Sequence, residues 1–293
     1  MTTTEEAIAQ LPQEAIRERS RWPYLVILLL VAFLYRAVLV KLVHDWWHIP
    51  EFSHGFIVPL FSLFVLWRDR SQIFRIPRKP AWAGLAVVCA ALGLLVIGVL
   101  GAELFLARVS GILLIIGLTL TFWGRQRLRR MIFPLLFLLF AVPIPSIVLN
   151  HITFPLQLLS SRFAADVLPL LDVPVHQEGN VIRLAIMPLE VAEACSGIGS
   201  LLSLSSLAVI YAYFFQKSVT KRVILCLLSI PIAVICNVLR IVGTGLCVQY
   251  WNPDKAVGFF HAFSGWLLFV VSLCFLYLVN SAMSLRWFQR GQA

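Results

Sequence analysis

Long apolar runs separated by short polar segments make up most of the chain after residue 22. A bilayer core of about 30 Å requires about 20 apolar residues in a helix. Eight runs reach or approach this length: 24–43, 55–67, 82–100, 102–122, 131–149, 196–215, 222–248 and 257–280. The second run is short, so it begins before Gly55 or crosses with little tilt. This pattern predicts an all-α polytopic membrane protein with eight transmembrane helices.

The stretch 150–195 is the longest one without a predicted span. Its first half, with Phe154-Pro-Leu-Gln-Leu-Leu and Phe163-Ala-Ala-Asp-Val-Leu, indicates an amphipathic helix lying at the membrane interface. Its second half indicates two short strands around Glu178-Gly179-Asn180. We therefore expect a short helix and a two-strand element just before span six.

Lys and Arg residues alternate strongly between successive connecting segments. Seventeen lie in the N-terminal segment, the C-terminal tail and the loops of the same side, whereas three lie in the other loops. Positive residues favour the cytoplasmic side, so both termini are predicted to be cytoplasmic. The expected organisation is a cytoplasmic segment 1–22, a transmembrane domain 23–281 with the outer insertion 150–195, and a cytoplasmic tail 282–293. Because residues 1–21 lack the features of a signal peptide, the first span is expected to remain as an anchor.

The composition excludes other classes of protein. The chain is 60% hydrophobic and 13% charged, whereas soluble domains have about 45–50% apolar and about 25% charged residues. The net charge of +10 does not indicate nucleic-acid binding, because the Lys and Arg residues fall in short clusters between apolar runs. The six cysteines form no CxxC pair, so neither a disulfide framework nor a metal site is expected. No cofactor is expected either.

Arg240 is the clearest ionisable residue within a span. It follows Arg222 by 18 residues, or about 27 Å of helix, which places it near the outer boundary of the bilayer. Asn237 and Thr244 share its helical face. A functional role is one interpretation; the alternative is an arginine that extends to the headgroups or pairs with an acidic residue. The acidic residues considered for such a pair are Glu103, Asp172 and Glu190.

Three further reactive residues are predicted at the same depth as Arg240. Cys195 lies where span six begins, and a helix start favours a thiolate; the alternative is a small buried apolar side chain. His261 opens span eight and His54 lies at the outer end of span two, where a histidine that only contacts interfacial water is the alternative. Together these residues supply a nucleophile, a proton-transfer group and a cation, which suffice for acyl transfer.

Three ordered segments resemble the exosortase/archaeosortase family. They are Glu193-Ala-Cys-Ser-Gly, Asn237-Val-Leu-Arg, and His261 followed by Ser-Gly-Trp, and the similarity extends over about residues 20 to 280. The resemblance implies a membrane-embedded cysteine transpeptidase or protease. Such enzymes process exported proteins that carry a C-terminal sorting signal: a motif such as Pro-Glu-Pro, one transmembrane helix and a basic tail. It also implies a multi-pass protein of the bacterial inner membrane with its active site on the extracytoplasmic side.

The resemblance also implies the roles of particular residues. Cys195 would be the nucleophile, His261 the proton-transfer group and Arg240 the third catalytic residue. A second group is expected to contact the substrate or to support these three residues: Glu51, His54, Glu193, Ser196, Gly197 and Asn237. The expected partners are exported proteins, membrane lipids, and an exopolysaccharide or lipid-linked acceptor; transfer to water stays open.

Two other classes of function remain as alternatives. A polytopic transferase acting on lipid-linked glycans would need no thiol. A transporter or assembly scaffold would need polar residues across the middle of the membrane, whereas the clearly polar residues gather at the outer edge. Replacement of Cys195 separates both alternatives from the cysteine enzyme.

Overall fold

The computed structural model describes residues 22–190, 198–251 and 261–290. The chain divides into one compact unit that ends at Lys41 and a second that begins at Leu42. The described residues of the first unit form a helix. All the site residues considered below belong to the second unit.

Helices account for most of the described chain. They are α1 (Trp22–His48), α2 (Ile57–Arg68), α3 (Arg70–Arg75), α4 (Ala83–Leu100), α5 (Leu104–Trp123), α6 (Arg125–Phe137), α7 (Ser146–Val167), α8 (Ile198–Phe215), α9 (Val219–Tyr250) and α10 (His261–Arg290), with short 3₁₀-helices at Pro50–Phe56, Leu138–Ala141 and Leu168–Leu171. Within the described ranges, seven segments are long and apolar enough to span a membrane, and the number is eight if one bent helix pair counts as a single span. The chain is therefore an all-α polytopic membrane protein, as predicted.

The fifth predicted span, 131–149, is wrong as a single helix. The segment Arg125–Ala141 is followed by Ser146–Leu171 at an angle of 78°. Pro143 and Pro145 cause the break, because each lacks an N–H donor and each disfavours a helical conformation in the residue before it. The helix expected at the interface is consequently the later part of α7, which already begins at Ser146.

The predicted two-strand element is confirmed, but a third strand joins it. Strand β1 (Val175–Glu178) pairs antiparallel with β2 (Val181–Leu184) through a turn in which Gly179 has φ +64°. Strand β3 (Pro188–Glu190) pairs with the other edge of β2 and was not predicted. Buried side chains of this sheet, together with Val173 just before β1, pack against α7 and α9; those of the sheet are Ile182, Leu184 and Leu189. The sheet therefore covers one end of these two helices.

Positive residues from several segments meet at one end of the helices. Nη2 of Arg68, at the end of α2, donates to the Tyr213 hydroxyl at 2.6 Å, and Nε of Arg222 donates to the Gln216 carbonyl at 2.8 Å. Lys221 Nζ donates to the Met283 carbonyl of α10 at 3.3 Å. We call this end, marked by Arg68, Lys221 and Arg222, the basic end. That it faces the cytoplasm stays a prediction.

Candidate functional site

The last three helices place their opposite ends at a common depth. At the basic end, Nε2 of Gln216 donates to Oδ1 of Asn280, which fixes α8 and α10 side by side. Ile198 and Ala262 each precede these bonded residues by 18 positions, or about 27 Å of helix. Arg240 follows Lys221 by 19 residues, or about 28 Å. The first turns of α8 and α10 therefore lie at the height of Arg240.

The guanidinium of Arg240 lies against the start of α10. A Cβ atom added to Gly265 would stand 3.3 Å from both Cζ and Nη2 of Arg240. His261 is the first residue of α10 and precedes Gly265 by four positions, so both residues share one helical face. The side chain of His261 lies outside what the structure describes. The helical spacing nevertheless places His261 on the same face of α10 as Gly265, which is the face that Arg240 contacts.

The ion pairs considered for Arg240 can be checked for the acidic residues whose side chains the structure describes. Within the described side chains, neither Glu103 nor Asp172 forms an ion pair with Arg240. Thr244 Oγ1 donates to the Arg240 carbonyl at 2.9 Å, which is a bond within α9. Glu103 and Asp172 are therefore not what holds this guanidinium in place.

Four of the predicted site residues lie outside the described part of the chain: Glu193, Cys195, Ser196 and Gly197. The chain re-enters the structure at Ile198, three residues after Cys195 in the sequence. Geometry at the site can therefore be given for Arg240, Asn237, Glu51 and His54.

Glu51 is packed against the first turn of α8. A Cβ atom on Gly199 would lie 3.2 Å from the Cα atom and 3.4 Å from the Cγ atom of Glu51. These distances are tighter than ordinary van der Waals contacts, so a glycine favours the close approach between the 3₁₀-helix Pro50–Phe56 and α8. Glu51, which is half-buried, therefore lies beside the part of α8 that follows the predicted Cys195 motif.

The end of α1 and the 3₁₀-helix that follows it are both bonded to the broken fifth span. Nε1 of Trp46 donates to the Ala141 carbonyl at 2.7 Å, and Nε2 of His54 donates to the Phe140 carbonyl at 3.1 Å. Nδ1 of His54 lies 3.5 Å from the Ser203 hydroxyl of α8. Because His54 is buried and both ring nitrogens contact protein groups, its geometry suits a residue that positions Glu51 rather than one that contacts substrate.

Asn237 joins α9 to α7. Its side chain is 5% exposed, and Nδ2 donates to the Ser160 hydroxyl at 3.2 Å. Asn237 lies three residues before Arg240, so this bond fixes the turn of α9 that carries the arginine. Its position is that of a supporting residue.

A cavity of about 410 Å³ opens beside Glu51 and Ile198. Deep in it, Nη2 of Arg108 donates to Oδ2 of Asp45, and the Arg108 side chain is 4% exposed. Sequence reasoning missed this pair, although a charged residue inside the apolar run 102–122 is a signal that could have drawn attention to it. We call the end of the helices that holds Glu51, Ile198 and Arg240 the cavity end.

The charged groups of the site do not resemble a metal centre. Within the described residues, no group of three His, Cys, Asp or Glu side chains is placed to hold a metal ion. The described chemistry of the cavity end consists of carboxylates, two guanidinium groups and hydroxyls. These groups can bind and orient polar ligands and can stabilise developing charge.

The chain was compared with family models, curated proteins and solved structures. A family model described as transmembrane exosortase matches residues 46–278. Neither the curated proteins nor the solved structures gave a match. The matched range includes the 3₁₀-helix Pro50–Phe56, the cavity, the sheet and the turn of α10 that meets Arg240.

Proposed function

Because the chain belongs to the transmembrane exosortase family, we propose that it is an integral-membrane cysteine transpeptidase or protease. Its substrates are exported proteins with a C-terminal sorting signal, composed of a short motif such as Pro-Glu-Pro, a transmembrane helix and a basic tail. One observation carries most of the argument: the Arg240 guanidinium lies on the first turns of α10, at the height where α8 begins. Cys195 precedes α8 by three residues and His261 opens α10.

The proposed mechanism begins with attack by the Cys195 thiolate on the scissile carbonyl. Arg240 and the backbone N–H groups of Ser196 and Gly197 stabilise the oxyanion of the tetrahedral intermediate. His261 then protonates the leaving amine as the C–N bond breaks, which leaves an acyl-enzyme on Cys195. Water or an acceptor attacks this thioester, His261 takes the proton of the attacking group, and the thiolate leaves.

The membrane determines how the substrate reaches this site. The substrate's helix lies in the bilayer against the enzyme, and its cleavage motif emerges at the cavity end. The order β1-β2-β3 leaves β1 at an edge of the sheet, where an extended motif could add as a further strand. In this proposal both termini and the basic end face the cytoplasm of a bacterial cell, and the site faces outward. The acceptor is then a component of the cell envelope, such as an exopolysaccharide or a lipid-linked molecule.

Mass spectrometry of the purified enzyme tests the proposal. The enzyme is incubated with the C-terminal segment of a substrate, and wild type is compared with Cys195→Ala, His261→Ala and the matched control Cys274→Ala, whose thiol is exposed on α10. We expect an adduct on Cys195 in wild type and in Cys274→Ala, and none in Cys195→Ala. Cleavage that persists in Cys195→Ala would end the thiol mechanism and favour a transferase that needs no thiol.

A further inference from the structure

The cavity beside Glu51 has an excess of negative charge. Among the described residues, its charged lining consists of Asp45, Glu51, Glu103 and Arg108. Asp45 and Arg108 form an ion pair, which leaves two carboxylates. Within the described side chains, neither Glu51 nor Glu103 has an ion-pair partner. A cationic ligand is therefore favoured here, and the acidic residue of a Pro-Glu-Pro motif would be repelled.

Two buried donors point to a second polar group on that ligand. Nε of Arg108 and the Thr153 hydroxyl are both buried and have no hydrogen-bond partner among the described groups. Both residues line the cavity and are at most 6% exposed. Buried polar groups normally have partners, because an unsatisfied group has lost its hydration without compensation. A ligand with oxygen acceptors would supply partners for donors of this kind.

The carboxylates and the donors occupy different levels of the cavity. Glu103 is exposed and Glu51 half-buried, whereas Arg108 and Thr153 are buried. Apolar side chains, including Phe52 and Leu149, fill much of the remaining wall. A small group with a cation at one end and an oxygen acceptor at the other fits this distribution of charge.

From this distribution we infer that the cavity binds the molecule that receives the acyl group. This molecule is a primary amine with an oxygen atom a few bonds from the nitrogen, and the oxygen accepts hydrogen bonds. The inference rests on the proposed function, because the amine would attack the acyl-enzyme on Cys195. Glu51 and Glu103 bind the ammonium group, and Arg108 and Thr153 bind the oxygen. Aminoacyl groups and ethanolamine phosphates both have this chemistry.

The transfer step balances with the groups present. The ammonium loses a proton to a carboxylate of the cavity, and its nitrogen lone pair then attacks the thioester carbonyl. A C–N bond forms, and the C–S bond breaks with its electron pair leaving on sulfur. The second proton lost by nitrogen passes through His261 to the thiolate. The products are an amide and a free thiol, and no oxidant or reductant is needed.

Partition of the acyl-enzyme tests the inference. Full-length enzyme cleaves a substrate segment with glycinamide present, and the ratio of amide to hydrolysed product is measured. This ratio does not depend on how much enzyme is active, so partial misfolding does not affect it. We expect Glu103→Gln to lower the ratio about threefold to fivefold, because the lost ion pair with the ammonium is solvent-exposed. Asp166→Asn, which removes an exposed carboxylate of α7 outside the cavity, should leave it unchanged.

The choice of amine separates the two parts of the site. Thr153→Val should lower transfer to glycinamide, which has a carbonyl oxygen, but not to n-propylamine, which has none. Transfer to glycinamide alone would indicate an aminoacyl carrier, and transfer to O-phosphoethanolamine alone a headgroup carrier. An unchanged ratio in Glu103→Gln, or cleavage without capture of any amine, would overturn the inference and leave the proposed function standing.

Binding of the amine can also be measured without catalysis. Thermal unfolding of wild type is compared in glycinamide and in acetamide, which lacks the amine. We expect glycinamide to raise the unfolding midpoint of wild type and of Asp166→Asn, and to raise that of Glu103→Gln less, because Glu51 is retained. Equal midpoints in the two amides would overturn the inference even if the enzyme cleaves no substrate, a result that would separately refute the proposed function.

Discussion

The ion pair between Asp45 and Arg108 should contribute strongly to stability only while both partners are present. The Arg108 side chain is 4% exposed and that of Asp45 is 22% exposed. Asp45→Asn leaves the guanidinium buried without a counter-charge, which costs about 3–5 kcal/mol for a fully buried pair. Because Asp45 keeps some contact with solvent, we expect Asp45→Asn to lower the free energy of unfolding by about 3 kcal/mol.

Removal of both charges should restore most of that loss. The double variant Asp45→Asn/Arg108→Met has no buried guanidinium, and replacing a buried ion pair by apolar groups is often neutral or stabilising. Thermal unfolding in detergent micelles measures the effect, with an expected fall of about 6 °C for the single variant at roughly 2 °C per kcal/mol.

An exposed ion pair provides the control for this measurement. Arg183 Nη2 and Glu178 Oε2 lie 2.8 Å apart with side chains 59% and 49% exposed. Glu178→Gln should therefore change the free energy of unfolding by less than about 1 kcal/mol. The reasoning would be refuted if Asp45→Asn destabilised no more than Glu178→Gln, or if the double variant were less stable than Asp45→Asn.

Three other substitutions test the packing of the site and of the basic end. Gly265→Val should displace the Arg240 guanidinium, because even a Cβ would stand 3.3 Å from it. Substrate cleavage should then fall at least about tenfold with little change in unfolding temperature. Full activity of this variant would show that the contact between Arg240 and Gly265 is not used. Arg240→Lys keeps the charge but loses the planar donors, so most cleavage should be lost, and near-normal turnover would reduce Arg240 to a structural role. Gly124→Ala should lower the unfolding temperature by several degrees, because Gly124 has φ +82° and a Cβ would overlap the Lys79 carbonyl oxygen; an unchanged midpoint would contradict that packing.

The sequence predicted those parts of the fold that depend on local patterns. The hairpin followed from a turn at Gly179, and its φ of +64° explains why glycine stands there. The bend after Ala141 was missed because average hydrophobicity is nearly unaffected by Pro143 and Pro145. Strand β3 was missed because its three residues are too few to show an alternating pattern and one of them is Pro188.

The sequence predicted how deep a site residue lies along its helix, but not which residues of distant segments contact each other. Counting residues along α9 placed Arg240 far from the basic end, in agreement with its contact to Gly265. The pairing of Asp45 with Arg108 joins residues 63 positions apart, and no local pattern indicates such a contact. Glu51 was proposed from its neighbourhood in the sequence, but only the fold shows that it lines a cavity.

The bend in the fifth span has a consequence for natural variation. The acceptors that hold Trp46 and His54 are the main-chain carbonyls of Ala141 and Phe140. Every amino acid supplies such a carbonyl, so these two hydrogen bonds do not select the side chains of Ala141 and Phe140. Those side chains are selected by their packing in the apolar cluster around Phe137. At Trp46 and His54 the hydrogen bond itself selects the residue, since an indole or imidazole N–H is lost with the side chain that carries it. Variation should therefore be limited by packing on the acceptor side of this junction and by hydrogen bonding on the donor side.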